Sequence, residues 1–117
     1  MKASSWSPDG RLIAYASSGG AVHIKDSKFN KKASFQKLAP VTCLAWSPLT
    51  IDNTESILAV ACIDMTISLH DDNGDQFGFE RKSQMEIYTM CWFASGDYLM
   101  AGGSNNLVCL YSREGIF

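Results

Sequence analysis

The sequence predicts an all-β chain built from tandem four-stranded antiparallel sheets. Three tryptophans, Trp6, Trp46 and Trp92, each close a short run of small and apolar residues, written ASSW, TCLAW and YTMCW. Each is followed by a turn and a second apolar run, and then by a strand in which apolar and polar side chains alternate. Alternation buries one side chain in two, the mark of a strand with one covered face.

The units superpose on one another. The stretch after Trp6, SPDGRLIAYASSGGAVHIKD, lies without a gap on FASGDYLMAGGSNNLVCLYS after Trp92 at an offset of 86, which sets Ile13 on Leu99 and Ile24 on Leu110. The middle copy, ESILAVACIDMTISLHD, lies on the first at an offset of 45, with Leu58 on Ile13, Ile67 on Val22 and Asp71 on Asp26. Its tryptophan is offset by only 40, so five extra residues sit within 49–56. That stretch contains Asp52-Asn53-Thr54 and reads as a surface loop.

The elements follow in order within each unit. A strand ending in Trp leads to a turn at Pro8-Asp9-Gly10, at Pro48 with the insertion, or at Ser95-Gly96-Asp97. A second strand leads to a turn within 17–20, 63–65 or 102–106. Gly, Asn and Asp are common at such corners because they tolerate positive φ. The third strand is AVHIK, TISLH or LVCLY, and a fourth is read at KASFQ (32–36) and QFGFE (76–80). The chain stops at Ile116-Phe117, where a third copy of that strand would begin.

Four strands in each 40 to 45 residues, in tandem, is the blade pattern of a β-propeller. Blades are expected over about 1–40, 41–86 and 87–117, the last incomplete, giving about two and three-quarter blades.

Composition narrows the function. Hydrophobic residues make up 46% and charged residues 19%, as in a folded domain, and a net charge of -2 offers no field for nucleic acid. No apolar run approaches the roughly 20 residues that cross a bilayer. No apolar stretch follows Lys2, so no secretory signal is read and a cytoplasmic setting is expected. Cys43, Cys62, Cys91 and Cys109 are 19, 29 and 18 residues apart, without zinc or redox spacing. They are read as small buried hydrophobes in strands.

No residue is assigned a catalytic, cofactor-binding or metal-ligating role. His23 and His70 fall in third strands with no Ser or Cys nucleophile and carboxylate in the same loop. Ser17-Ser18-Gly19-Gly20 and Gly102-Gly103-Ser104 precede strands, not helices, and read as hairpin turns rather than phosphate cradles. Asp71-Asp72-Asn73-Gly74-Asp75 lacks the closing Glu of a calcium loop and reads as a solvated turn. The inner strands offer Ser, Thr, Cys and Tyr but no Asp, Glu, His, Lys or Arg, which argues against a propeller enzyme.

Asp64-Met65-Thr66-Ile67-Ser68-Leu69-His70-Asp71 resembles the Asp-x-Thr-Ile-x-Leu-Trp-Asp register of the WD-repeat (WD40) family, with His70 in place of Trp. The family's closing pair has become Lys25-Asp26, His70-Asp71 and Tyr111-Ser112, and the Gly-His dipeptide before the first strand is missing. The resemblance implies a turn network of Asp, His, Ser and Trp that is incomplete here, with Asp64 closing its own turn through backbone bonds.

A closer likeness rests on Ser4-Ser5-Trp6 with Asp9-Gly10-Arg11-Leu12-Ile13-Ala14, on Leu44-Ala45-Trp46-Ser47-Pro48, on Ile57-Leu58-Ala59-Val60-Ala61, and on Gly96-Asp97-Tyr98-Leu99-Met100-Ala101-Gly102-Gly103-Ser104 with Ser112-Arg113-Glu114-Gly115. These resemble three consecutive blades of the intraflagellar transport protein 122 family of WD-repeat proteins. The resemblance implies a non-enzymatic scaffold in the ciliary complex A of retrograde transport, partnered by other protein subunits, within a longer polypeptide of propellers and helical solenoid. It places such a protein at the cilium or basal body. A scaffold of a vesicle coat, ubiquitin ligase or chromatin complex is the second reading, and a propeller enzyme the third. No nucleic acid, inserted membrane segment or cofactor is expected. Two uncovered blade faces should make the chain self-associate or pack on neighbouring blades.

Overall fold

The structure, a computed structural model, describes residues 4–50, 56–76, 80–104 and 108–112. It holds eleven strands in three antiparallel sheets. The first sheet is β1 (Ser4–Trp6), β2 (Leu12–Ala16), β3 (Ala21–Asp26) and β4 (Lys31–Gln36), ordered as in the sequence. The second is β5 (Val41–Trp46), β6 (Leu58–Cys62), β7 (Thr66–His70) and β8 (Arg81–Lys82). The third is β9 (Ile87–Trp92), β10 (Tyr98–Gly103) and β11 (Val108–Ser112).

The turns explain why strands stop where they do. After Trp6, the Ser7 hydroxyl donates to Asp9 Oδ1 at 2.7 Å and accepts from the Leu12 amide at 3.0 Å, closing the Pro8-Asp9-Gly10 corner. Ser47 repeats half of this across the insertion, its hydroxyl accepting from the Ile57 amide at 3.0 Å. Asp26 and Asp71 hold the corresponding corners after β3 and β7. The Asp26 carboxylate accepts from the Lys28 and Asn30 amides at 2.9 and 2.8 Å, and that of Asp71 from the Asn73 and Asp75 amides at 2.9 and 3.0 Å. The acidic cluster at 71–75 is therefore one turn closed by the Asp71 side chain, as the turn after β3 is closed by Asp26.

The core lies between the sheets. Leu12, Ala14, Ala16, Val22 and Ile24 of the first meet Val41, Leu44, Trp46, Leu58 and Val60 of the second. The other side of the second sheet, with Ala45, Ala59, Ala61, Ile67 and Leu69, meets Ile87, Trp92, Leu99 and Ala101 of the third. Burying one such aliphatic side chain is worth about 1.5–3 kcal/mol, so each sheet draws its stability from its neighbours.

Three expectations need correction. The third strand of the middle unit is not half-exposed: every residue of β7 is buried, because it is covered on both faces. Gly102 and Gly103 are not a turn but the end of β10, paired with β9 across a bulge. The fourth strand of the second unit was read at 76–80; residues 77–79 lie outside the described residues, Gln76 makes a single bridge to His70, and β7 pairs with Arg81–Lys82 instead.

The cysteines divide as well. Cys62 is buried, Cys43 and Cys109 are half-buried, and Cys91 is exposed, so one of the four departs from the buried reading. Burial pushes the Cys43 and Cys62 thiols up from their ordinary pKa.

Gly103 is required where it stands. A side chain there would collide with the Glu86 carbonyl oxygen, at the place where β10 bulges against the start of β9. Gly20, at φ +92°, would drive a Cβ to 2.6 Å from the Ala39 carbonyl oxygen. Gly103→Ala and Gly20→Ala are expected to lower the urea midpoint by the equivalent of about 2 kcal/mol or more each, since both add backbone displacement to the usual glycine-to-alanine change.

Candidate functional site

Each inner strand ends in a tryptophan, and two of the three indoles reach across to the preceding sheet. Trp46 Nε1–H donates to the Ser5 carbonyl at 3.0 Å, and Trp92 Nε1–H donates to the Ala45 carbonyl at 3.1 Å. The acceptor in each case belongs to the residue just before the previous unit's tryptophan, so one contact recurs with the repeat. Trp46 and Trp92 are 6% and 8% exposed, whereas Trp6, with no preceding sheet beside it among the described residues, is 56% exposed. Thr42 adds a second tie, its hydroxyl donating to the Ile87 carbonyl of the third sheet.

At the outer part of the first interface lies a polar chain. Lys37 Nζ, in the segment leading into β5, donates to Ser68 Oγ at 3.0 Å and to Glu80 Oε1 at 2.8 Å. Ser68 lies 2.9 Å from His70 Nε2, and His70 Nδ1 lies 3.1 Å from the Gly74 carbonyl. Since the carbonyl can only accept, His70 Nδ1 carries the proton and Nε2 accepts from the Ser68 hydroxyl. The imidazole stacks on Phe35 of the first sheet, with centroids 4.0 Å apart. Lys37, Ser68 and His70 are all buried, and each polar atom has its partner.

Both histidines and Asp64 can now be placed. His70 is a buried hub between two sheets, whereas His23 is half-buried on the open face of the first sheet, stacked on Tyr15 at 5.1 Å. Asp64 Oδ1 accepts from the Thr66 amide at 3.2 Å and its hydroxyl at 2.6 Å, closing its own turn. It does not join His70. Sequence reading missed Lys37 altogether, because a lysine between two strands carries no signal of the anionic and hydroxyl partners that distant residues bring to it.

The surface that all three sheets share is at the Trp ends of the inner strands. A shallow hollow of about 330 Å³ is lined there by Ser5, Pro8, Ala45, Trp46, Pro48 and Cys91, among others. Its lining has no Asp, Glu, His, Lys or Arg. Among the described residues no three His, Cys, Asp or Glu side chains gather as a metal site, and no helix is long and apolar enough to cross a membrane. The lining presents apolar side chains and backbone atoms to solvent.

Two outcomes follow. Trp46→Phe and Trp92→Phe each remove one buried donor and should cost about 1–2 kcal/mol in denaturant unfolding, while Trp6→Phe should leave the isolated chain's stability unchanged. The second concerns acid. Burial is the largest influence on His70 and holds its pKa below the ordinary 6.5, with Lys37 adding to the effect and Gly74, Asp71 and Glu80 opposing it. The unfolded chain therefore takes up the proton first as pH falls. Stability from the neutral ring is complete above 6.5 and is lost as pH drops through the lower folded-state value. Urea midpoints should hold steady from about pH 8 to 7 and fall as the pH drops below about 6.5, and His70→Gln should flatten that fall.

Comparison with known proteins agrees with the geometry. The family model described as WD domain, G-beta repeat, matches residues 79–112. The chain is 27% identical over 116 residues to the intraflagellar transport protein 122 homolog of Mus musculus, and 28% identical over 116 residues to that of Xenopus tropicalis; each match covers 96% of this chain. It is 29% identical over 115 residues, 95% of the chain, to the homolog of Danio rerio. The chain spans 10% of the length of each of these relatives. Among solved structures, the β-propeller domain of Cps50 (Swd1) from Myceliophteria thermophila superposes with a TM-score of 0.76 at 20% identity, over 95% of this chain and 38% of that one. At that identity the match speaks for the fold alone. The chain has the fold of a WD-type β-propeller segment and resembles the intraflagellar transport protein 122 homologs over nearly its whole length.

Proposed function

We propose that the chain is part of a non-enzymatic scaffold for protein assembly, serving the ciliary transport machinery as a subunit of intraflagellar transport complex A, in retrograde transport and cargo entry. The observation that carries this reading is the likeness to the intraflagellar transport protein 122 homologs, which runs through all three sheets rather than through one repeat. The hollow at the ends of the inner strands supports the scaffold half of it. Its lining has no carboxylate, imidazole, ammonium or guanidinium, so it has no pair of groups with which to pass a proton, and it has exposed apolar and backbone atoms with which to hold a peptide. The partners in this reading are other subunits of the transport complex, and the setting is the cytoplasm and the cilium or basal body.

A tagged copy of the protein carrying this sequence, recovered from ciliated cells, should bring down intraflagellar transport subunits in stoichiometric amounts. Recovery of vesicle-coat, ubiquitin-ligase or chromatin subunits in their place would overturn the assignment while leaving the scaffold role.

A further inference from the structure

Residues 37–40 carry the chain from β4 across to β5, and this crossover is fastened to both sheets that it joins. The Lys37 amide donates to the Gly20 carbonyl at 2.8 Å, and the Pro40 carbonyl accepts from the Ile63 amide at 2.9 Å. Leu38, between these two bonds, is fully exposed. The Lys37 side chain runs into the second sheet, where its ammonium donates to Ser68 Oγ at 3.0 Å and Glu80 Oε1 at 2.8 Å. It is 9% exposed there, whereas Glu80 is 42% exposed, so the ion pair leads from the buried junction out to solvent.

Ser68 is shared between two neighbours. Its oxygen accepts from Lys37, and its hydrogen goes to His70 Nε2 at 2.9 Å. That arrangement holds only while Nε2 is bare. A proton there turns the acceptor into a donor, leaves the Ser68 hydrogen without a partner, and aims an imidazolium and an ammonium at one buried oxygen. The charged groups about the ring are Lys37 of the crossover, Glu80 and Asp71 of the second sheet, and Lys32 of β4. Asp71 is engaged with the Asn73 and Asp75 amides, Lys32 Nζ donates to Asn73 Oδ1 at 3.4 Å, and Asp64 is turned to Thr66. The ring itself has reason to stay. Its Nδ1–H keeps the Gly74 carbonyl in either state, and the face of Phe35, with centroids 4.0 Å apart, attracts a cation.

We propose that His70 is an acid-operated latch on the crossover: a proton at Nε2 breaks the Lys37–Ser68 bond, Lys37 swings out with Glu80, and residues 37–40 loosen while the sheets stay packed. Burial first, and Lys37 next, keep the ring neutral at pH 6.5, so the latch is closed at neutral pH and opens as the solution becomes acid. What acid changes is how rigidly Leu38 is held out. The second crossover is built differently. Ser83 stands at the place of Lys37, its amide donating to the Met65 carbonyl at 2.7 Å and its hydroxyl lying on the Met65 and Met85 carbonyls. Tyr111 stands at the place of His70. The inference is independent of which assembly the protein serves.

Amide hydrogen exchange of the protein carrying this sequence, followed by mass spectrometry from about pH 7.5 to 5, tests it. Exchange at the imidazole C2 position gives the His70 midpoint in the same samples. After correction for the intrinsic effect of pH, the amides of 37–41 should exchange about tenfold faster below that midpoint, the worth of one hydrogen bond to a charged group. Strands β2 and β3 and the second crossover, 83–86, should hold. His70→Gln should abolish the acceleration, and Lys37→Met should abolish it while raising the His70 midpoint, since Lys37 lowers it. The two crossovers of the unsubstituted protein carry the comparison by themselves if either variant folds poorly. No acceleration across the His70 midpoint, equal acceleration in both crossovers, or an undiminished response in Lys37→Met would each overturn the proposal.

Discussion

The indole-to-carbonyl contact between successive inner strands is the constraint from which the remaining geometry follows. It fixes where the end of one inner strand stands relative to the next, and with it which rows of side chains face each other. Once Trp46 is bonded to the Ser5 carbonyl, Leu44, Leu58 and Val60 are brought over Ala14, Ala16 and Val22, and the same sequence of events repeats at Trp92 and Ala45. The bond itself contributes only about 1 kcal/mol, far less than the burial of the large aromatic ring. Its importance is directional, because apolar packing tolerates sliding whereas a buried donor accepts one position.

The middle sheet shows what this stacking does to the character of a strand. β7 has the same alternating sequence as β3, yet all of β7 is buried while β3 leaves His23 and Lys25 partly open. Between two neighbours, polar side chains must be satisfied internally. Ser68 and His70 meet this by joining Lys37 and Glu80, so the first interface is held by a charged and hydrogen-bonded segment as well as by apolar contact. At the second interface the place of His70 is taken by Tyr111, whose hydroxyl pKa is pushed up to about 12, chiefly by burial.

The sheets, their strand order and the apolar rows were legible because a blade is a local object: each strand pairs with the one before it, and period-two alternation reports a covered face. The errors came where neighbours from elsewhere in the chain decide. Gly103 looks like a turn residue until Glu86 is seen to need the space that a side chain would fill. Cys91 lies in a strand equivalent to one that is covered, and is exposed because nothing described lies beyond the third sheet. The Lys37 to His70 chain joins residues 31 and more positions apart, so no spacing rule could have found it.

The Trp-Ser-Pro corners have a consequence for the inner strands. β1, β5 and β9 pair on one side only, which leaves a row of backbone donors and acceptors on the other, the usual template for unwanted strand addition by another chain. Pro8 and Pro48 stand two residues beyond Trp6 and Trp46, where a missing amide hydrogen and a fixed φ prevent the edge from lengthening. After β9 the chain has Phe93-Ala94 in place of Ser-Pro. The first two inner strands are therefore ended by a proline as well as by their turn, whereas β9 relies on the turn alone, closed by the Gly96 amide on the Phe93 carbonyl and the Phe93 amide on the Tyr98 carbonyl.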